Sequence, residues 1–250
     1  ASFSALRLIT GATFLLCLVC LKDPSFKLAK PRIVPVLALL AYMLGFSFAY
    51  NHLSAATGAL LLFGFVQITM LAYALRGGER LTLAGIAGYA VAVSGLLYLV
   101  APGLEAPPLA YAGLMAIAGV AWGIYSLLGA GGKDPTQETA QNFFYASLIA
   151  IVVSFSQIQN LSISWQGALA ATVSGAVASG LGYAIWYHLL GSIRLVTAAL
   201  AQLSVPAIAA VGGALLLLEP LDQRTVLSTL LTLGGTAFVL VERGTRAREA

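Results

Sequence analysis

The sequence predicts an all-α membrane protein, a polytopic bundle of nine transmembrane helices, from three observations. First, hydrophobic residues make up 60% of the 250 residues and charged residues only 9%, whereas a soluble domain carries about 25% charged residues. Second, the apolar residues fall in runs of about 20, the length that a helix needs to cross a bilayer. Third, the basic residues lie almost entirely in the loops on one side. A chain with so few charges cannot cover itself with a polar surface, so we place it in a bilayer.

Nine apolar runs are the candidate spans. Lipid offers the backbone no hydrogen-bond partners, so each run is expected to form a helix, whereas a barrel would show shorter, alternating strands. The runs cover residues 2–21, 33–51, 55–75, 82–101, 109–130, 140–158, 166–190, 195–217 and 225–241.

The basic residues predict the orientation. If the loop 22–32 faces inside, alternation through nine spans puts eleven basic residues inside and one outside, Arg224, while Arg7 lies within a span. The positive-inside rule then places the C-terminus, with a tail at 242–250, in the cytoplasm and residue 1 outside. In a bacterium this membrane would be the cell inner membrane. Because the basic residues form no single face, we expect no nucleic-acid partner despite the net charge of +4.

Two stretches 140 positions apart share one layout, an apolar span, a glutamate-bearing turn and a second span with glycine. They are Thr57–Val100 and Thr197–Leu240, in which Glu79 aligns with Glu219. The predicted orientation puts the Glu79 turn inside and the Glu219 turn outside, so the two copies would cross the membrane in opposite directions. Such inverted repeats are typical of secondary transporters.

Opposite orientation requires an odd number of helices in each copy. Five helices fit the second copy, at 109–241, which the tail 242–250 follows. The first copy, at 1–101, would then lack its opening helix. We therefore expect the nine helices to belong to a ten-helix parent with two inverted five-helix repeats.

Two short motifs lie at corresponding places in the two copies, and two further features lie in one copy each. They are Gly78-Glu79-Arg80-Leu81 with Gly95, Leu218-Glu219-Pro220-Leu221 with Gly235, Pro206 one span before the second glutamate, and Ala5-Leu6-Arg7 near the head of a span. In order and spacing they resemble the motifs of the EamA family of the drug/metabolite transporter superfamily. The chain departs from that pattern in its missing first helix and in Val66, which stands where the second copy has Pro206. The resemblance implies secondary transport, commonly export, of small metabolites, amino acids or drug-like molecules.

Polar and aromatic residues within the spans are the candidates for a substrate cavity. Arg7 could hold the carboxylate of a substrate, or it could lie near the outer boundary and bond helix ends or lipid headgroups. For the others the alternative is helix–helix packing. As a set they favour an uncharged or zwitterionic substrate with apolar character. The candidates are Arg7, Tyr42, Phe46, Gln67, Trp122, Tyr125, Asn142, Tyr145, Tyr183 and Gln202.

Three further residues are predicted to act at turns or hinges. Glu79 and Glu219 follow helix ends, where an acid suits the N-terminal dipole of the next helix. We expect them to hold their turns, with gating as the alternative. Pro206 removes a backbone hydrogen bond within its span, which could make a hinge or a fixed bend.

The sequence disfavours the other function classes. Gly132-Lys133-Asp134 lacks the spacing and the Ser or Thr of a phosphate loop. No nucleophile–base pair or His/Asp metal cluster lies within a span, so we expect neither an enzyme nor a catalytic residue, cofactor or metal. The partners expected are a small-molecule substrate, the lipid bilayer and, in a homodimer, a second copy of the chain. The prediction is an alternating-access transporter, and the alternative is a non-transporting structural or accessory membrane subunit.

Overall fold

Helices are the only regular structure in the part of the chain that the computed structural model describes, residues 2–78, 82–103, 106–129, 134–155, 164–190 and 195–249. Helices α7 and α8 flank a π-helical segment, and the three run on without a break. The bounds are α1 Ser2–Lys22, α2 Ile33–Ala49, α3 Ala55–Arg76, α4 Leu83–Val100, α5 Leu109–Gly129, α6 Pro135–Phe155, α7 Trp165–Val173, the π-helical segment Ser174–Leu181, α8 Gly182–Leu190, α9 Leu195–Leu216 and α10 Gln223–Glu249.

The predicted class, an all-α membrane protein, is confirmed. Six helical stretches in the described residues are long and apolar enough to cross a membrane, namely α1, α3, α4, α5, α10 and the run from α7 to Trp186. Apolar but shorter stretches are α2 and Ser204–Leu216 of α9. The chain is therefore an integral multi-pass membrane protein, and the count of nine spans remains a prediction.

Two helices differ from their predicted limits by more than two residues. Helix α6 begins at Pro135 rather than at 140. The Asp134 carboxylate accepts hydrogen bonds from the backbone N–H groups of Thr136 and Gln137, at 3.1 and 3.0 Å, and proline suits a first helical turn because its missing N–H is not needed there. Hydropathy alone could not show this polar start. Helix α10 continues to Glu249, so the stretch predicted as a tail is helical as far as the structure describes it.

The chain divides into two compact units. The first contains Ala1–Ser47 and Ile124–Ser192, and the second contains Phe48–Gly123 and Ile193–Ala250. Within the first unit, α1 packs against α6 and against the π-helical segment. Gly11 of α1 lies against the ring of Phe143, where any side chain would collide with it.

In the second unit, α4 packs along α10 and α3 along α9. The α4–α10 pair is antiparallel, because Thr82 at the start of α4 donates to Glu242 near the end of α10, at 2.6 Å. Gly88 and Gly235 bring their backbones together, as small residues do between membrane helices. The α3–α9 pair is also antiparallel, because Ala55 at the start of α3 lies beside Gly213 near the end of α9.

Candidate functional site

Arg7 lies inside the first unit and is only 7% exposed. Its Nε donates a hydrogen bond to Oγ of Ser179, at 3.1 Å, and Ser179 is itself buried. Its guanidinium carbon lies 5.1 Å from the ring centre of Phe46 and 5.9 Å from that of Tyr42. Within the described residues, its Nη1 has no hydrogen-bond partner. The guanidinium is thus held on one edge and over two rings, and one nitrogen is left without an acceptor.

Two glycines of the π-helical segment place Ser179 against α1. Gly175 lies against the backbone carbonyl of Arg7, and Gly180 lies against the ring of Phe14. Neither position has room for a side chain, so the backbones approach closely. The adjacent Ser179 therefore lies beside α1, where it accepts the hydrogen bond from Arg7. The place of Arg7 in a substrate cavity remains a prediction.

A second group contains Tyr125, Asn142 and Tyr183. Tyr183 follows Ser179 by four residues, about one helical turn. The rings of Tyr183 and Phe143 meet edge to face with centres 5.5 Å apart, and Tyr125 meets Tyr183 at 6.3 Å. Asn142 Nδ2 donates to the Tyr125 hydroxyl at 3.5 Å. Tyr125, Asn142, Phe143 and Tyr183 are all buried. The structure therefore brings together three predicted site residues and adds one that was not predicted.

A small crevice that opens to solvent adjoins this second group. Arg32 and Glu138 form an ion pair of 2.8 Å on its lining. Both side chains are partly exposed, so this pair adds little stability. The crevice is lined by Arg32, Pro35, Tyr125, Leu128, Gly129, Pro135, Glu138, Thr139 and Asn142.

Tyr145 holds the loop that precedes α2. Its hydroxyl donates to the backbone carbonyl of Ala29 at 2.7 Å, and the backbone N–H of Ala29 donates to Gln141 at 3.3 Å. Among the contacts that the structure gives for Tyr145 are this one and the ring of Phe144. Its predicted place in a cavity remains a prediction.

The other three cavity candidates lie in the second unit, and their role there remains a prediction. Gln67 of α3, Trp122 of α5 and Gln202 of α9 are all partly buried. Helix α9 runs unbroken through Pro206, which is buried. Because proline has no N–H, the carbonyl of Gln202 one turn earlier lacks its usual helical donor.

Glu219 caps the start of α3 rather than the start of α10, the helix that follows it in the chain. Its carboxylate accepts a hydrogen bond from the backbone N–H of Ala55, the first residue of α3, at 2.8 Å. The following helix, α10, is capped by Asp222, which accepts from the N–H of Thr225. Leu218 adopts a left-handed backbone conformation with φ of 55° at the end of α9. Glu79 lies outside the described residues.

Arg224, the single basic residue predicted outside, has a structural task. Its guanidinium donates to the carbonyl of Ala101, just after α4, and lies 5.6 Å from the ring centre of Tyr98. A cation there complements the negative end of the helix dipole. These contacts give Arg224 a structural role that does not depend on the predicted orientation.

Sequence reasoning missed Ser179, Phe143 and Thr139. A signal for Ser179 exists in Ser174-Gly175 and Ser179-Gly180, two pairs that are five residues apart. A π-helix bonds residues five apart, so this spacing puts both glycines on one side of the segment. Phe143 carries no such signal, because a phenylalanine in an apolar span is ordinary.

Apolar helices with buried polar and aromatic side chains place this chain among the multi-pass membrane proteins with a polar interior. A comparison with known families identifies the family within that class. The model of the EamA-like transporter family matches residues 109–241. The chain belongs to this family, whose members are transporters and not enzymes.

Two further comparisons cover almost the whole chain. An uncharacterized protein of Pseudomonas aeruginosa is 46% identical over 249 residues, which cover 99% of this chain and 87% of that protein. A crystal structure, described only as that of a protein, is similar with a TM-score of 0.65 and 19% sequence identity. It covers 96% of this chain and 87% of its own. At that identity the likeness is one of fold.

Proposed function

We propose that this chain is a secondary transporter that exports small metabolites, amino acids or drug-like molecules by alternating access. The observation that supports it is a series of buried polar groups through the first unit. The series runs from Arg7 and Ser179 to Tyr183, then to Tyr125 and Asn142 beside the crevice. Polar groups within a membrane are costly and usually mark a solute pathway. Polar side chains can also bond neighbouring helices together, but packing alone does not require a buried arginine with a nitrogen left unbonded within the described residues.

The helix limits support an internal repeat. Helix α3 spans Ala55–Arg76 and α9 spans Leu195–Leu216, so both ends differ by 140 residues (195 − 55 and 216 − 76). The starts of α4, at Leu83, and α10, at Gln223, differ by the same number. Both related pairs lie antiparallel in the second unit, as an inverted repeat requires.

The compact units fit the same repeat. A shift of 140 residues takes α1 onto α6 and α2 onto the run from the π-helical segment to α8. Each unit therefore holds helices from one copy together with their counterparts from the other. We propose inverted repeats at 1–101 and 109–241, nine spans, and a cytoplasmic C-terminus in the inner membrane of a bacterium.

Cysteine accessibility tests alternating access directly. In a chain with Cys17→Ser and Cys20→Ser, single cysteines at Gln67, Trp122 and Gln202 would be treated with a membrane-impermeant thiol reagent. Right-side-out and inside-out vesicles expose each face in turn. We expect labelling from both faces, with the balance shifting when a transported solute is added.

A cysteine at Val91 is the matched control, since this side chain is exposed in the middle of α4. In lipid it should stay unlabelled from either side. Labelling of Gln67, Trp122 and Gln202 as low as that of Val91 would contradict the transport proposal and favour the structural subunit.

A further inference from the structure

We propose that the guanidinium of Arg7 binds the carboxylate of the transported solute, and that the rings of Phe46 and Tyr42 form an apolar wall for the rest of the molecule. The assignment rests on the proposed transport function and narrows its substrate class. The expected solute is a small organic acid or amino acid rather than a cationic drug.

The first argument is the incomplete bonding of Arg7. A guanidinium carries five N–H donors, and the structure gives one hydrogen bond, from Nε to Ser179. Nη1 is buried and lacks a partner among the described residues. A buried charge without hydrogen bonds is among the costliest features in a membrane interior. A group that accepts from Nη1 would remove that cost, and the fork of arginine matches a carboxylate.

The second argument is charge. The nine acidic residues of the sequence all lie outside the nine predicted spans. Among the described residues, Arg7 forms no ion pair with a carboxylate. An anionic group from outside would neutralise it, whereas a cationic solute would be repelled in a medium of low dielectric constant.

The third argument is that the rest of the site is already in place. Gly175 and Gly180 hold the π-helical segment against α1, and Ser179 fixes one edge of the guanidinium. The two rings lie one turn apart on α2, with centres 5.7 Å apart. The guanidinium is thus restrained before any solute arrives, so binding costs little further side-chain conformational entropy.

Matched sets of solutes can isolate the carboxylate. Each set has four compounds on one skeleton: the amino acid, its N-acetyl derivative, its amide and the N-acetyl amide. These are zwitterionic, anionic, cationic and neutral. Sets built on alanine, leucine and phenylalanine would be tested for a shift in melting temperature of the full-length protein in neutral detergent.

We expect stabilisation by the amino acids or the N-acetyl acids in at least one set, and none by the two amides. Arg7→Gln should abolish the shift. Arg7→Lys keeps the charge but not the fork, and should weaken binding by about 10- to 100-fold, the loss typical of one hydrogen bond to a charged group. Arg76→Gln, which removes an exposed charge at the end of α3, is the matched control and should bind as the wild type does.

Three results would overturn the assignment. One is no shift with any carboxylate, another is an equal shift with the amides, and the third is unchanged affinity in Arg7→Lys and Arg7→Gln. A shift with phosphatidylglycerol alone that Arg7→Gln abolishes would assign Nη1 to a lipid headgroup and overturn it too. Because binding is measured without flux, a failure of transport is distinguishable from a failure of this site.

Discussion

Arg7 and Arg224 are the same residue type in two different situations. Arg224 donates to the carbonyl of Ala101 at the end of α4, so its guanidinium already has a hydrogen-bond acceptor in the backbone of this chain. Arg7 is buried and leaves Nη1 without an acceptor among the described residues. The sequence predicted Arg7 as the one basic residue inside a span. It could not predict the difference in bonding, because that depends on which carbonyls and hydroxyls lie within reach.

Glu219 is expected to stabilise the start of α3. Replacing it with alanine removes the acceptor for the N–H of Ala55 and should lower stability by about 0.5–2 kcal/mol, as for the loss of a helix cap. Glu219→Gln keeps an acceptor oxygen but loses the charge, so it should retain part of that stability. Thermal unfolding of the purified protein in detergent measures both. If the two variants melted alike at the wild-type temperature, Glu219 would have no capping role.

The π-helical segment is the element on which the arginine site depends. It sets Ser179 against α1 through Gly175 and Gly180, and π-helical turns often occur at functional sites. Its spacing of five residues was visible in the sequence, whereas its pairing with α1 was not. Hydropathy identifies a span without saying which side of it meets a neighbour.

A methyl group at Gly175 tests this packing. The added Cβ would collide with the backbone carbonyl of Arg7 and the hydroxyl of Thr10, so Gly175→Ala should cost about 1–3 kcal/mol. Gly113→Ala is the control, because nothing lies within 4 Å of a Cβ built there. It should leave the melting temperature unchanged or raise it slightly, since alanine favours helix more than glycine does. Equal effects of the two changes would contradict the close contact.

Most helix limits were predictable from the sequence, and the physical reason is the length of a membrane span. Each apolar run had to be helical, and its ends had to fall where polar residues begin. The start of α6 was missed because its first turns carry Thr136, Gln137 and Glu138, which hydropathy assigns to a loop. Tyr125 and Asn142 lie together in the structure, but the predicted set of cavity residues gave no means of separating them from Tyr145.

The proposed orientation of the whole chain can be tested at the C-terminus. The excess of basic residues in one set of loops predicts a cytoplasmic C-terminus. A fluorescent protein fused there should fold and fluoresce, while an alkaline phosphatase fusion should stay inactive because that enzyme needs an oxidising compartment. The same two fusions placed after Pro102 should give the opposite pair of results. An active phosphatase at the C-terminus would contradict the orientation and the inverted repeat that depends on it.

Counterflow in proteoliposomes tests whether this chain is a carrier for carboxylate-bearing solutes. Vesicles of neutral lipid with the purified full-length protein would be loaded with an unlabelled amino acid or N-acetyl acid, and uptake of the labelled compound would be followed. A carrier predicts transient accumulation above equilibrium with the wild type and with Arg76→Gln, and its loss with Arg7→Gln. Absence of counterflow for every carboxylate tested, or counterflow of the cationic amides alone, would contradict carriage of carboxylate-bearing solutes by this chain.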